Sequence, residues 1–316
     1  MLKGYQLCAV TEGKSPHSVA FVTTSVRLFY QFLLAAGQPP DADKVGTQTI
    51  RAFIFSLGQK QAFSGHRLTH PQPHGLSSHT INTYMRGLRC FFSWLVREEI
   101  LPESPFAKVK LPKVTRKIIP TFTDSQLKAL LSVIDIKTAR GYRDMAMILL
   151  MLDSGIRVSE LCGLKLADVH LEEGTIKVLG KGNKERLSPI GREIQRILWR
   201  YINRFRPTPF RINEDLLFMT RDGKSLNKDR LQKIMSVYGR KAGIQGVRCS
   251  AHTLRHSAAV RFLRNGGDVF SLQRMLGHSS LEMTRHYCEI ADVDMKKAHV
   301  AASPVDNLKL ASSKYK

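Results

Sequence analysis

No unbroken apolar run in the 316-residue sequence approaches the ~18 residues of a transmembrane helix. The longest runs only from Met145 to Leu152. The segment Met1 to Val10 lacks a basic stretch followed by a long apolar core, so no secretory signal is expected. Cysteine is sparse and scattered, at positions 8, 90, 162, 249 and 288, with no CxxC pair. An odd, unclustered set argues against a disulfide framework and fits a reducing cytosol. Acidic residues are few, 26 against 49 Lys and Arg. With 43% hydrophobic and 24% charged residues the composition is that of an ordinary globular protein, which excludes disordered, collagenous and membrane classes. The length exceeds one typical domain, so two are expected.

Positive charge is what the chain has in excess, at a formal +23. It is spread out: 13 basic against 6 acidic residues up to position 115, and 36 against 20 thereafter. A folded protein accepts such self-repulsion most readily when its partner is a polyanion. Nucleic acid is the first reading; an anionic membrane surface is the weaker one, because no basic amphipathic anchor stands out.

From Thr11 to about Phe106 the pattern is helical. Val22, Val26, Phe29 and Leu33 line one face of a helix over Val19 to Leu34. A second is expected over Thr47 to Leu57, followed by a loop rich in His, Pro and Gly from Ser64 to Gly75. A third runs from Ser78 to about Glu99, with Ile81, Met85, Leu88, Phe92 and Leu95 on one stripe and Arg86, Arg89 and Arg97 on the other side. The segment from Lys108 to Pro120 has two prolines, five basic residues and no acidic ones. It reads as an extended linker whose Lys110 and Lys113 could lie along a phosphate backbone, or simply be solvated.

Thr123 and Gln126 form a capping box ahead of Leu127, Leu130, Leu131 and Ile134. A helix over Tyr142 to Leu152 should stop at Ser154-Gly155. Thr175 to Leu179 and Glu185 to Ile190 flank GKGNK as a small β-hairpin with a basic, glycine-rich tip that includes Lys181 and Lys184. Helices follow over Glu193 to Phe205, Lys228 to Ala242, Thr253 to Asn265 and Val269 to Leu276. The expected class is mainly α with one small antiparallel sheet in the second domain.

Five pieces of that second half carry polar residues where a helical core would not want them: GIRVSEL at 155–161, GKGNKER at 180–186, HTLRH at 252–256, LGHSS at 276–280, and Tyr287. Each has a bland reading alone. Arg157 beside Glu160 fits a surface ion pair, worth only ~0–1 kcal/mol. Lys181 fits a solvated hairpin lysine, His278 a helix-end histidine and Tyr287 a core tyrosine.

Together and in this order they resemble the tyrosine site-specific recombinases, the phage-integrase-like family, over nearly the whole chain. The family pattern of Arg, hairpin Lys, His-x-x-Arg, His or Trp, and Tyr is matched by Arg157, Lys181, His252 with Arg255, His278 and Tyr287. The resemblance implies an all-helical core-binding domain over 1–107, a linker over 108–120, an α+β catalytic domain over 121–305 and a tail over 306–316. The start of the chain leaves no room for a full arm-site domain, so a simple Xer-like architecture is expected. Arg86, Arg89, Lys110, Lys113 and Lys184 are the expected DNA-binding side chains.

The implied chemistry needs no metal and no cofactor. Arg157 and Arg255 would clamp the nonbridging oxygens of a phosphodiester with planar donors. Tyr287 would attack, its proton accepted or shared by His252 and its phenolate favoured by the surrounding cations. Lys181 would protonate the 5′ leaving oxygen, His278 would donate a hydrogen bond to the phosphate, and Glu160 would orient Arg157 or His252. The implied partners are double-stranded DNA and further copies of the chain, four protomers exchanging strands through a Holliday junction. The segment Ala291 to Val300 is expected to form a short helix docking on a neighbouring protomer.

His252 and His256 are spaced as in a zinc-binding HExxH helix, but Thr253 stands where the general-base Glu would be. His66, His70, His74 and His79 fit either a zinc clip or, better, a DNA-facing loop. Two other functions stay open on sequence: a relative that binds DNA without cutting it, and a topoisomerase or telomere-resolving enzyme of similar chemistry.

Overall fold

The computed structural model describes residues 1–60, 75–113, 119–180, 185–211, 215–278, 280–291, 299–300 and 303–306. The chain divides into two compact units, Met1–Lys117 and Ile118–Lys316.

The first unit contains α1 (Leu2–Thr11), α2 (Pro16–Ala35), α3 (Thr47–Gln59) and α4 (Ser78–Arg97). Proline at the first position of α2 and Ser15, which accepts from the Ser18 amide, start that helix; Ser77 does the same for α4 through the Thr80 amide. The expected α4 stripe of Ile81, Met85, Leu88, Phe92 and Leu95 is buried. Each such side chain contributes roughly 1.5–3 kcal/mol of transfer free energy. Helix α2 passes close beside it: a Cβ at Gly87 would lie 2.2 Å from Ser25 Oγ. By length and hydropathy α2 would suffice to cross a membrane, which a search for unbroken apolar runs passes over. Its Val22, Phe29 and Leu33 are buried in the core of this unit. Helix α1 was not anticipated, because it buries only Tyr5 and Ala9 and so shows almost no stripe.

Part of the segment expected to be a linker packs onto this unit. Val109 is buried in its core, Pro112 accepts a hydrogen bond from Asn82, and Arg89 lies over the Phe106 ring with a long bond to the Val109 carbonyl. Lys110 and Lys113 are exposed.

The second unit contains α5 (Asp124–Ser132), α6 (Ala139–Ser154), α7 (Val158–Gly163), β1 (Val169–His170), β2 (Thr175–Leu179), β3 (Glu185–Pro189), α8 (Arg192–Arg200), α9 (Lys228–Lys241), α10 (Ala251–Arg264), α11 (Val269–Leu276) and α12 (Glu282–Ala291). The capping box at Thr123 and Gln126 is present. The antiparallel sheet has the order β1-β2-β3, with Val178 opposite Arg186. Its first strand, two residues long, is too short to show alternation in the sequence. Helix α8 ends earlier than expected, continuing as a π-helical turn over Tyr201–Phe205. Helix α10 begins earlier, at Ala251, because Ser250 caps it by accepting from the Thr253 amide.

The core of this unit surrounds α6. Fully buried Asp144 accepts from Arg143 at 2.9 and 2.6 Å and from the Tyr238 hydroxyl at 3.0 Å, while Arg143 also reaches the Met219 carbonyl. Burial, then the Asp144 charge, pushes the Tyr238 phenol up to about 12.

Candidate active site

Two helix ends build the site. Helix α6 stops at Gly155 and α11 at Gly277, both left-handed, with φ of 62° and 63°. A Cβ at Gly155 would also meet Leu276 Cδ2 at 2.7 Å, so glycine is what lets α11 come this close. Such ends leave carbonyls without helical partners and carry partial negative charge. Arginines fill them. Arg255 donates to the Gly155 carbonyl at 2.6 Å and to that of Leu276 at 2.9 Å. Arg157 reaches the Gly277 carbonyl at 3.3 Å, and Arg186 Nε that of Met275 at 3.1 Å.

Glu160 is the anion among these three cations. It is only 7% exposed and accepts from the Arg157 amide and Nη1, each at 2.8 Å, and from both terminal nitrogens of Arg186. Burial alone would raise its pKa, but the Arg186 and Arg157 bonds reverse this and hold it below the usual carboxylate range. Three guanidiniums against one carboxylate leave the site positive. Arg255, 5% exposed, feels this most: burial and then Arg157 lower its pKa to about 10.

Histidines complete the surround. His278 Nε2 lies 3.1 Å from Arg255 Nη2 and its Nδ1 2.9 Å from Thr284 Oγ1. His252 and His256, one turn apart on α10, meet Nε2 to Nε2 at 2.7 Å, and buried His256 has no partner on Nδ1. Burial lowers all three histidines. His252 is also lowered by Arg255; His256, with His252 adding, falls to about 4, as does His278, with Arg255 and Arg157 adding. All three are neutral at pH 7.

Tyr287 on α12 is buried, its ring 5.3 Å from that of His256 and 6.2 Å from that of His278, nearly parallel to the latter. Burial raises its pKa and outweighs the lowering by Arg255 and Arg157. In this arrangement the cations therefore do not yield the phenolate expected from sequence, and a base is required. Arg157, Ser159, His252, Arg255, His278 and Tyr287 all line one pocket of about 380 Å³.

Six of the expected side chains thus converge: Arg157, Glu160, His252, Arg255, His278 and Tyr287. Lys181 and Lys184 fall at 181–184, and His66, His70 and His74 at 61–74, outside the described residues. Arg86, Arg89, Lys110 and Lys113 belong to the other unit; Arg86 is exposed, as is His79.

Residues 120–293, more than half of the chain, match the phage integrase family. The chain belongs to that family. A tyrosine recombinase XerD from Staphylococcus epidermidis is 34% identical over 231 residues, covering 73% of this chain and 78% of the relative. A XerD from Listeria monocytogenes serotype 4b is 29% identical over 297 residues, covering 93% and 95%. Among solved structures, the XerH site-specific recombinase bound to palindromic difH substrate, a post-cleavage complex, superposes with a TM-score of 0.69. It is 22% identical, over 96% of this chain and 84% of that one, so the likeness is one of fold. This phage integrase family member is a tyrosine site-specific recombinase, an enzyme, with the mainly helical fold expected from sequence.

Sequence reasoning missed two members of the site. Arg186 lies within the GKGNKER motif without an expected role, although it shares the inward face of β3 with buried Ser188. Thr284, fully buried three residues before Tyr287, carried no signal at all.

Proposed function

We propose that this recombinase cleaves and rejoins double-stranded DNA through a 3′-phosphotyrosyl intermediate. The observation that carries the reading is the pocket where Arg157, Arg255 and His278 face Tyr287 with a surplus of positive charge. A phosphodiester fits that charge, and its transition state, with more charge on the nonbridging oxygens, fits it better. Arg157 and Arg255 bind those oxygens, Glu160 and Arg186 holding Arg157 in place. Tyr287 Oη attacks phosphorus and passes its proton to neutral His252, whose ring is braced by His256. The 5′ oxygen leaves with a proton from Lys181, and a 5′ hydroxyl attacking the phosphotyrosine reverses the steps. The phosphoryl bond energy is kept throughout, so rejoining needs no nucleotide.

The XerH complex, with its bound substrate, supports DNA as the partner, as does the +23 charge. Arg86, Lys110, Lys113 and Lys184 are the proposed phosphate contacts, with Arg89 also bracing Phe106. The working assembly is four protomers on two sites, resolved through a Holliday junction, with the C-terminal helix docked on a neighbour. That segment, Ala291 to Val300, lies largely outside the described residues. The domain roles follow: core binding by the first unit, catalysis by the second, in a reducing cytosol where all five cysteines stay free.

The test is Tyr287→Phe. Incubated with genomic fragments of the host, the wild-type protein should form an adduct stable on a denaturing gel, and sequencing the attached DNA gives the site. The phenylalanine variant should shift that site with affinity within ~2-fold of wild type and form no adduct, since only the nucleophilic oxygen is lost. An adduct from the variant ends the assignment.

A further inference from the structure

His278 holds two bonds that together fix its proton. A guanidinium has only donors, so Arg255 Nη2 makes His278 Nε2 an acceptor. A neutral imidazole carries one N–H, which is then on Nδ1, and Thr284 Oγ1 accepts it. A second proton is not at hand near neutral pH, since burial and then Arg255 hold this ring at about 4. Yet a histidine that donates to a phosphate from the pocket side needs its proton on Nε2. The observed tautomer is the wrong one for that task.

We propose that Thr284 is a positioning residue that lets His278 change tautomer when a phosphate enters the pocket. The phosphate takes over the Arg255 guanidinium, and Nε2 loses its donor. The ring then takes a proton from water on Nε2, aimed at the phosphate, and returns the one on Nδ1 to water, with no net change of charge. The Thr284 hydroxyl turns round and donates to the bare Nδ1. A hydroxyl both donates and accepts, so it satisfies either tautomer at the same distance. Thr284 is fully buried on α12, the helix that carries Tyr287. The His278 donor is therefore completed only when the nucleophile's helix is docked. Gln273 bonds only the His278 backbone, donating to its carbonyl and accepting from its amide, and so leaves the ring free to switch.

This rests on the reading of His278 as the phosphate donor, and the test separates the two. Single-turnover cleavage of a nicked duplex carrying the recovered site is measured for full-length variants. Thr284→Val, which keeps shape and loses the hydroxyl, should cleave ~10-fold or more slowly, and Thr284→Ser within ~3-fold of wild type, with duplex affinity unchanged in both. In a His278→Trp background, where the indole N–H donates with no tautomer to set, Thr284→Val should add less than ~3-fold. Imidazole nitrogen NMR gives an independent reading in the Tyr287→Phe protein. His278 should be protonated on Nδ1 alone and on Nε2 after the duplex is added, and Thr284→Val should block that reversal. Thr284→Val cleaving like wild type while His278→Ala is inactive overturns the switch alone. So do equal defects for Val and Ser, or a defect that persists undiminished beside His278→Trp. If His278→Ala cleaves normally, the reading of the site itself fails.

Discussion

Arg186 and Glu160 meet fork to fork, Nη1 to Oε1 at 3.0 Å and Nη2 to Oε2 at 2.8 Å, joining β3 to the first turn of α7. The same carboxylate holds Arg157, and the same guanidinium holds the end of α11 through the Met275 carbonyl. One pair thereby ties together the hairpin expected to carry the general acid, the arginine proposed to bind phosphate and the helix leading to His278. Two parallel bonds fix direction as well as distance, which a single lysine contact would not.

Removing Arg186 should therefore damage folding and chemistry together. Arg186→Met leaves Glu160 with a single cationic partner and frees the Met275 carbonyl. We expect a stability loss of about 3 kcal/mol by urea denaturation. Cleavage should fall at least ~10-fold, because Arg157 loses its orientation. Arg186→Lys should fall between the two proteins in both measurements. A Met variant within ~0.5 kcal/mol of wild type would show that the pair is no strut.

The sequence made the helices with full apolar stripes legible, as in α4, where burial repeats every three to four residues. It made the motif residues legible because they are polar side chains in a fixed order where a helical core would not want them. What stayed hidden depends on long-range encounters. Arg186 finds Glu160 and Met275 only when the sheet, α7 and α11 have come together, and Thr284 finds His278 only when α12 docks. Helix α1 escaped because it buries two side chains, too few for a period. The Tyr287 environment was misjudged for a related reason. Nearby cations are visible as residue types, whereas the burial that outweighs them is a property of the assembled core.

The neutral histidines give the protein a pH-dependent stability. His256 and His278 titrate near 4 when folded and near ~6.5 when unfolded. Between those values the unfolded chain binds protons that the folded one rejects, so stability falls as pH falls. The effect should be absent above about pH 7.5 and reach about 1 kcal/mol per histidine by pH 5.5. Glu160 also loses its contribution on acidification, but only below about pH 4.3, outside this window. Urea denaturation at pH 7.5 and 5.5 measures the loss; His252, also lowered by burial, adds to it, and His256→Asn should reduce it. Equal stability at the two values would mean that the rings are protonated in the fold.

The proposed role of Lys181 as general acid can be tested through the leaving group. Both His252 and His278 are held neutral by burial and nearby arginines, so neither is a ready source of a proton for the departing 5′ oxygen. Arg157 and Arg255 line the pocket as the proposed phosphate clamps, which leaves Lys181 as the proposed acid. Lys181→Ala should therefore cut an ordinary duplex at least ~100-fold more slowly, within the range that general acids contribute. With sulfur in place of the 5′ bridging oxygen no proton is needed, and the same variant should recover to within ~10-fold of wild type. Arg255→Ala, which loses a phosphate clamp, should not be rescued by sulfur, and that contrast separates acid from clamp. Equal defects of Lys181→Ala on both substrates would end the assignment of Lys181 as the acid.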